Sequence, residues 1–70
     1  MTTHSRSLAD LYPEEQQRCR ELLEAYKEIG PAGAFGHAAI SAVMREADEA
    51  AVAGDTVRML RAYEAMRGCK

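Results

Sequence analysis

Two glycine-led breaks, Gly30-Pro31 and Gly54-Asp55, set what this chain can become. Gly30 is free to take the left-handed backbone that ends a helix, and Pro31 cannot continue one. Gly54 fits the same role, and Asp55 behind it is a strong N-cap for a further helix. Around these breaks the apolar residues keep helical spacing. Pro13 suits a first helical position, with Glu14 and Glu15 behind it against the positive end of the helix dipole. Cys19, Leu22, Leu23, Tyr26 and Ile29 then recur as one stripe, and Arg18, Arg20, Glu21, Glu24, Lys27 and Glu28 fill the other faces. A second helix is expected from roughly Ala34 or His37 to Ala53. Phe35, Ile40, Val43, Met44, Ala47 and Ala51 form its inner face. A third runs from Asp55 to about Arg67, with Val57, Met59, Leu60, Tyr63 and Met66 apolar and Gly68 as its stop. The short Gly54-Asp55 connection folds the second and third helices into a tight hairpin. The expected architecture is all-α: three short helices and no strand. Residues 1–9 form a flexible N-terminal tail, and residues 10–68 a single helical domain.

Size makes such a domain marginal. The chain has 70 residues, and 13 of its 33 apolar side chains are alanine. Below roughly 70–80 residues a single core rarely supplies more than about 3–5 kcal/mol. Additional burial between subunits closes that gap, so a homo-oligomer, dimer or larger, is expected.

Charge and composition exclude several roles. Nine Lys/Arg against eleven Asp/Glu give a net charge of −2, without the basic face that duplex DNA requires. Nucleic-acid binding is therefore not expected. The longest uncharged stretch, Ile29 to Met44, holds four glycines or prolines in 16 residues. It is too short and too broken to cross a bilayer. The first seven residues lack the apolar run of a secretory signal, which points to the cytoplasm. Cys19 and Cys69 have neither the spacing of a metal site nor the oxidising compartment of a structural disulfide, so a buried thiol and a frayed end are expected. No metal and no cofactor is implied. Ser–His–Asp, Cys–His and paired-carboxylate arrangements lack supporting motifs, and enzyme activity is not expected.

From Tyr12 to Met66 a wider pattern is present. It runs Arg18-Cys19-Arg20-Glu21-Leu22-Leu23, Tyr26-Lys27, Gly30-Pro31-x-Gly33-x-Phe35-Gly36, Ala47-Asp48-x-Ala50, Gly54-Asp55 and Met59-Leu60-Arg61-x-Tyr63. This pattern resembles short helical proteins encoded in bacteriophage and prophage genomes of proteobacteria. The resemblance implies a phage accessory protein, a class that often blocks host defences by gripping a protein or sequestering a nucleotide signal. It brings no catalytic residue with it. Ala47 through Tyr63 is also similar to one tetratricopeptide helix pair, but a lone repeat cannot bury its own faces.

The glycine loop is where ligand chemistry is expected. A Gly-rich segment opening a helix leaves backbone N–H groups and a positive dipole end for a phosphate or carboxylate. Gly33, Ala34, Phe35 and Gly36 form this candidate site, with His37 in the first turn and Tyr26 and Lys27 one turn before the loop. Arg58 and Arg61 share a face of the third helix and offer two guanidiniums, which assembly would bring to the same pocket. The bland alternatives are close packing for Gly33 and Gly36, core positions for Tyr26 and Tyr63, and a solvated arginine face paired with Glu64. The leading expectation is a non-enzymatic oligomer that sequesters a small anionic nucleotide signal. The competing ones are a helical module that inhibits a host defence protein complex and a phage structural or regulatory subunit. If the loop binds an anion, Gly36→Asp removes binding and leaves the helices formed.

Overall fold

The first helix begins earlier than its proline suggests. The structure, a computed structural model, describes residues 7–70. Helix α1 spans Leu8–Ile29, with extended Ser7 as its N-cap and the Ser7 carbonyl accepting from the N–H groups of Asp10 and Leu11. Pro13 thus lies inside the helix, not at its first position. Its ring costs one backbone hydrogen bond and crowds the preceding turn. Packing holds the five residues ahead of it: Leu8 lies against the core, and the buried Tyr12 donates its hydroxyl to the Ala47 carbonyl at 2.7 Å. The expected tail shrinks accordingly, because Leu8 and Ala9 are helical. Residues 1–6 of that tail, His4 included, lie outside the described residues.

After α1 the chain makes a 3-10 turn at Gly30–Gly33, then helix α2 at Ala34–Ala53 and helix α3 at Thr56–Arg67. The described residues are helical almost throughout and include no strand. Gly30 does take a positive φ, +82°, at the end of α1. Pro31 then opens the 3-10 turn, where its missing N–H has no partner to lose. Helical turns therefore follow one another from Leu8 to Ala53, although Gly30 itself departs from helical dihedrals, and the Gly54-Asp55 turn separates α3. The 3-10 turn takes the place of the open loop read from the sequence, so the chain forms two helical stretches, Leu8–Ala53 and Thr56–Arg67, the first of them made of α1, the turn and α2. The α2–α3 turn follows expectation. Gly54 sits at φ +67°, and the Asp55 side chain accepts from the Arg58 N–H at 3.2 Å.

One small core joins the three helices: Tyr12 and Cys19 from α1, Ile40, Met44 and Ala47 from α2, and Ala62 and Met66 from α3. Met66 and Cys19 are the largest side chains wholly out of solvent. Two expectations for the inner face of α2 fail. Phe35 is 87% exposed, and Ala50 is buried where Ala51 was expected. Ile40, Met44 and Ala47 set the inward stripe, and at about 100° per residue Phe35 projects roughly 140° away from Ile40. In α3, Val57 and Leu60 are likewise exposed, and at the end of α1 so is Ile29.

Long polar contacts fasten α1 to the rest. Arg18 donates to the main-chain oxygens of Met66 and of Cys69, the latter at 2.9 Å, while its guanidinium also pairs with Glu15 at 2.9 Å. Tyr26 donates its hydroxyl to the main-chain oxygen of Lys70 at 2.6 Å. Gln16 reaches Asp48 at 3.0 Å. Cys69 is pinned by these contacts, contrary to the expected frayed end.

Candidate functional site

The glycines of the loop are tied to Tyr26. Gly33 is buried, and a Cβ built there would stand 2.5 Å from the Tyr26 main-chain oxygen and 3.2 Å from Ile29 Cβ. A Cβ at Gly36 would stand 2.5 Å from Tyr26 Cε1. The start of α2 therefore rests directly on Tyr26, and both glycines are needed for that approach. Gly36→Asp cannot leave this packing untouched, so the substitution does not isolate ligand binding as expected.

A cleft of about 520 Å³ opens beside this contact, lined by Leu23, Glu24, Tyr26, Lys27, Gly30, Pro31, Ala34 and His37. Four of the expected site residues, Tyr26, Lys27, Ala34 and His37, meet here. His37 Nδ1 lies 3.4 Å from Ser41 Oγ, which helps fix the ring. Two features work against an anion. Glu24 adds a carboxylate to the wall, and the Ala34 N–H donates to the Pro31 carbonyl within the 3-10 turn. A 3-10 turn engages N–H groups that an irregular loop would leave outward.

Gly33, Phe35 and Gly36 do not line this cleft. Phe35 and Gly36 border a separate groove of about 390 Å³, with Ala39, Ile40, Val43, Ala65, Gly68 and Cys69 among its walls. A further hollow of about 420 Å³ follows along α2 and α3, lined by Ala42, Val43, Glu46, Arg61, Ala62 and Ala65. The two share Val43 and Ala65, so one shallow trough runs from Phe35 to Arg61. The alanines that floor it were not singled out as site residues in the sequence, although Phe35, Ala39 and Ala42 have the spacing of one helix face.

The arginines are not gathered at the loop. Arg58 forms a two-pronged pair with Glu46, Nε to Oε2 and Nη2 to Oε1 both at 2.9 Å, and approaches Glu49 at 3.9 Å. Its partners are therefore on α2, not the expected Glu64. The hydrogen bond to Arg58 holds the Glu46 carboxyl below the usual range, and Glu46 in turn raises the Arg58 guanidinium. Arg61 is exposed at the far end of the trough. Glu46 lies about 18 Å along α2 from the loop at 1.5 Å per residue, and neither arginine lines the Lys27–His37 cleft.

Among the described residues no group of three or more His, Cys, Asp or Glu is placed to hold a metal ion, and no helix is long and apolar enough to cross a membrane. Compared with protein families, curated proteins and solved structures, the chain matches none.

Proposed function

We propose that the protein acts as a small helical interaction module, docking on another protein through the α2–α3 trough. The observation that carries this reading is Phe35: a phenylalanine 87% exposed at the rim of a trough floored by alanine and glycine. Burying such a side chain contributes about 1.5–3 kcal/mol, and central aromatic anchors dominate interface energies. The small floor residues let a partner helix lie close, and Arg61 at the far end supplies a charged boundary. The likeness to phage accessory proteins supports inhibition of a host defence complex as the setting. Self-association belongs to the same proposal, because so small a core leaves apolar surface on this face.

Affinity purification from phage-infected host cells tests the reading. A stoichiometric protein partner that is retained by Arg20→Ala and lost with Phe35→Ser supports it. Recovery of the same partner with both variants overturns the assignment of the face, and recovery of none overturns the docking role.

A second reading, sequestration of a small anionic nucleotide signal, is favoured by one observation: Lys27 and His37 face a common cleft beside Tyr26. A thermal-shift screen against cyclic and linear signalling nucleotides separates the two. Stabilisation that Lys27→Gln abolishes supports sequestration; no shift at millimolar nucleotide removes it.

A further inference from the structure

Two thiols far apart in sequence meet where α3 ends against α1. Cys19 Sγ lies 3.6 Å from the Met66 carbonyl oxygen, and Cys69 Sγ lies 3.5 Å from that of Ala65. The two acceptors are consecutive carbonyls in one turn of α3. Both sulfurs therefore stand against the same turn of α3. Arg18 holds the turn in place through the main-chain oxygens of Met66 and Cys69, which brings a guanidinium beside the sulfurs. Cys19 is wholly buried and Cys69 partly exposed. This asymmetry gives the two sulfurs different access to solvent.

We propose that Cys19 and Cys69 are an oxidisable pair that closes to an intramolecular disulfide when a peroxide reaches Cys69. Cys69, the accessible sulfur, reacts first. Its sulfur attacks one peroxide oxygen, the O–O bond breaks, and water leaves to give the sulfenic acid. Cys19 then attacks that sulfur. The S–O bond breaks, and the departing hydroxide carries the Cys19 proton away as a second water. Two thiols are oxidised by one peroxide, which is reduced to two waters. Burial pushes the Cys19 thiol up to about 11, with the neighbouring Cys69 adding to the effect. Cys19 therefore stays protonated and does not compete with Cys69 for peroxide; it attacks only as its proton passes to the hydroxide that leaves the Cys69 sulfur. Nothing in this depends on the docking role. The two features do touch, since Cys69 borders the groove beside Phe35.

The test uses the whole chain, reduced, freed of reductant and exposed to a small excess of hydrogen peroxide. It is then denatured and alkylated with a maleimide. The expected product is a monomer lighter by two hydrogens that takes up no maleimide, and dithiothreitol restores both thiols. Its melting temperature rises by on the order of 10 °C, since the bridge closes a loop of about 50 residues in the unfolded chain. With Cys19→Ser, the Cys69 sulfenic acid persists and is trapped by dimedone. Uptake of two maleimides after peroxide overturns the proposal. So does a disulfide that appears only between chains, or a Cys69 sulfinic acid formed without any bridge.

Discussion

Tyr12 supplies both an apolar ring and a long-range hydrogen bond, and two substitutions separate them. The ring is 3% exposed, and its hydroxyl reaches the Ala47 carbonyl at 2.7 Å. Tyr12→Phe keeps the ring and removes the bond, for an expected loss of about 1 kcal/mol. At 4–8 °C per kcal/mol for a domain of this size, the melting temperature falls by roughly 5 °C. Tyr12→Ala removes the ring as well. Truncations of that kind cost about 3–5 kcal/mol, as much as a core this small supplies, so this variant is unfolded at room temperature. Thermal and urea unfolding followed by far-UV circular dichroism reads both effects. Amide exchange adds a local signature: in Tyr12→Phe, protection falls first at Tyr12 and the turn before Pro13, because tertiary anchoring keeps that turn helical. An unchanged midpoint in Tyr12→Phe, or a fully helical Tyr12→Ala, would refute the reasoning.

Three further outcomes follow from the geometry. Gly36→Ala drives a methyl into the Tyr26 ring, with an expected loss of about 1–3 kcal/mol; denaturant midpoints check it, and a neutral result would mean that Tyr26 yields freely. Asp55→Ala removes the carboxylate that caps α3 and lowers stability by about 1 kcal/mol, whereas Asp55→Asn, measured alongside, retains most of it. Stability also falls in alkali. Burial raises the Cys19 thiol from 9.0 to about 11, so its contribution is complete below pH 9 and disappears as pH climbs through 11. Burial, then Asp48 and Glu46, likewise raises the Tyr12 hydroxyl above its ordinary 10.0. Unfolding midpoints measured from pH 8 to 11.5 show the decline, and Cys19→Ala removes the part that begins near pH 9.

The breaks were the most legible part of the sequence. Gly54-Asp55 and the Gly30 end of α1 act through local backbone chemistry, and both occur where the residues indicate. The start of α1 was hidden because a distant contact, Tyr12 to Ala47, outweighs the local preference of Pro13 for a first turn. Phe35 was misassigned for a related reason. Its hydrophobicity suggests burial, but its angular position on α2 is fixed by Ile40, Met44 and Ala47, which turn it outward. At the candidate site, local sequence joined Lys27 to His37 correctly because a single turn links them. It could not assign Arg58, whose partner Glu46 lies across the hairpin. The meeting of Cys19 with Cys69 had no local signal at all, since it depends on how α3 lies against α1.

Arg18 has a consequence for how the molecule comes apart. Helix α3 ends at Gly68 in right-handed conformation, without the left-handed glycine cap that closes α2. Two main-chain oxygens at its end instead receive hydrogen bonds and positive charge from a side chain of α1. The Gly68 and Cys69 N–H groups close the last turn from within α3, but the charged part of the cap is borrowed and is lost as soon as α1 leaves. The α2–α3 hairpin detached from α1 would therefore hold the end of α3 less firmly, which makes partly unfolded forms costly. Coupling of this kind favours loss of all three helices in one cooperative transition.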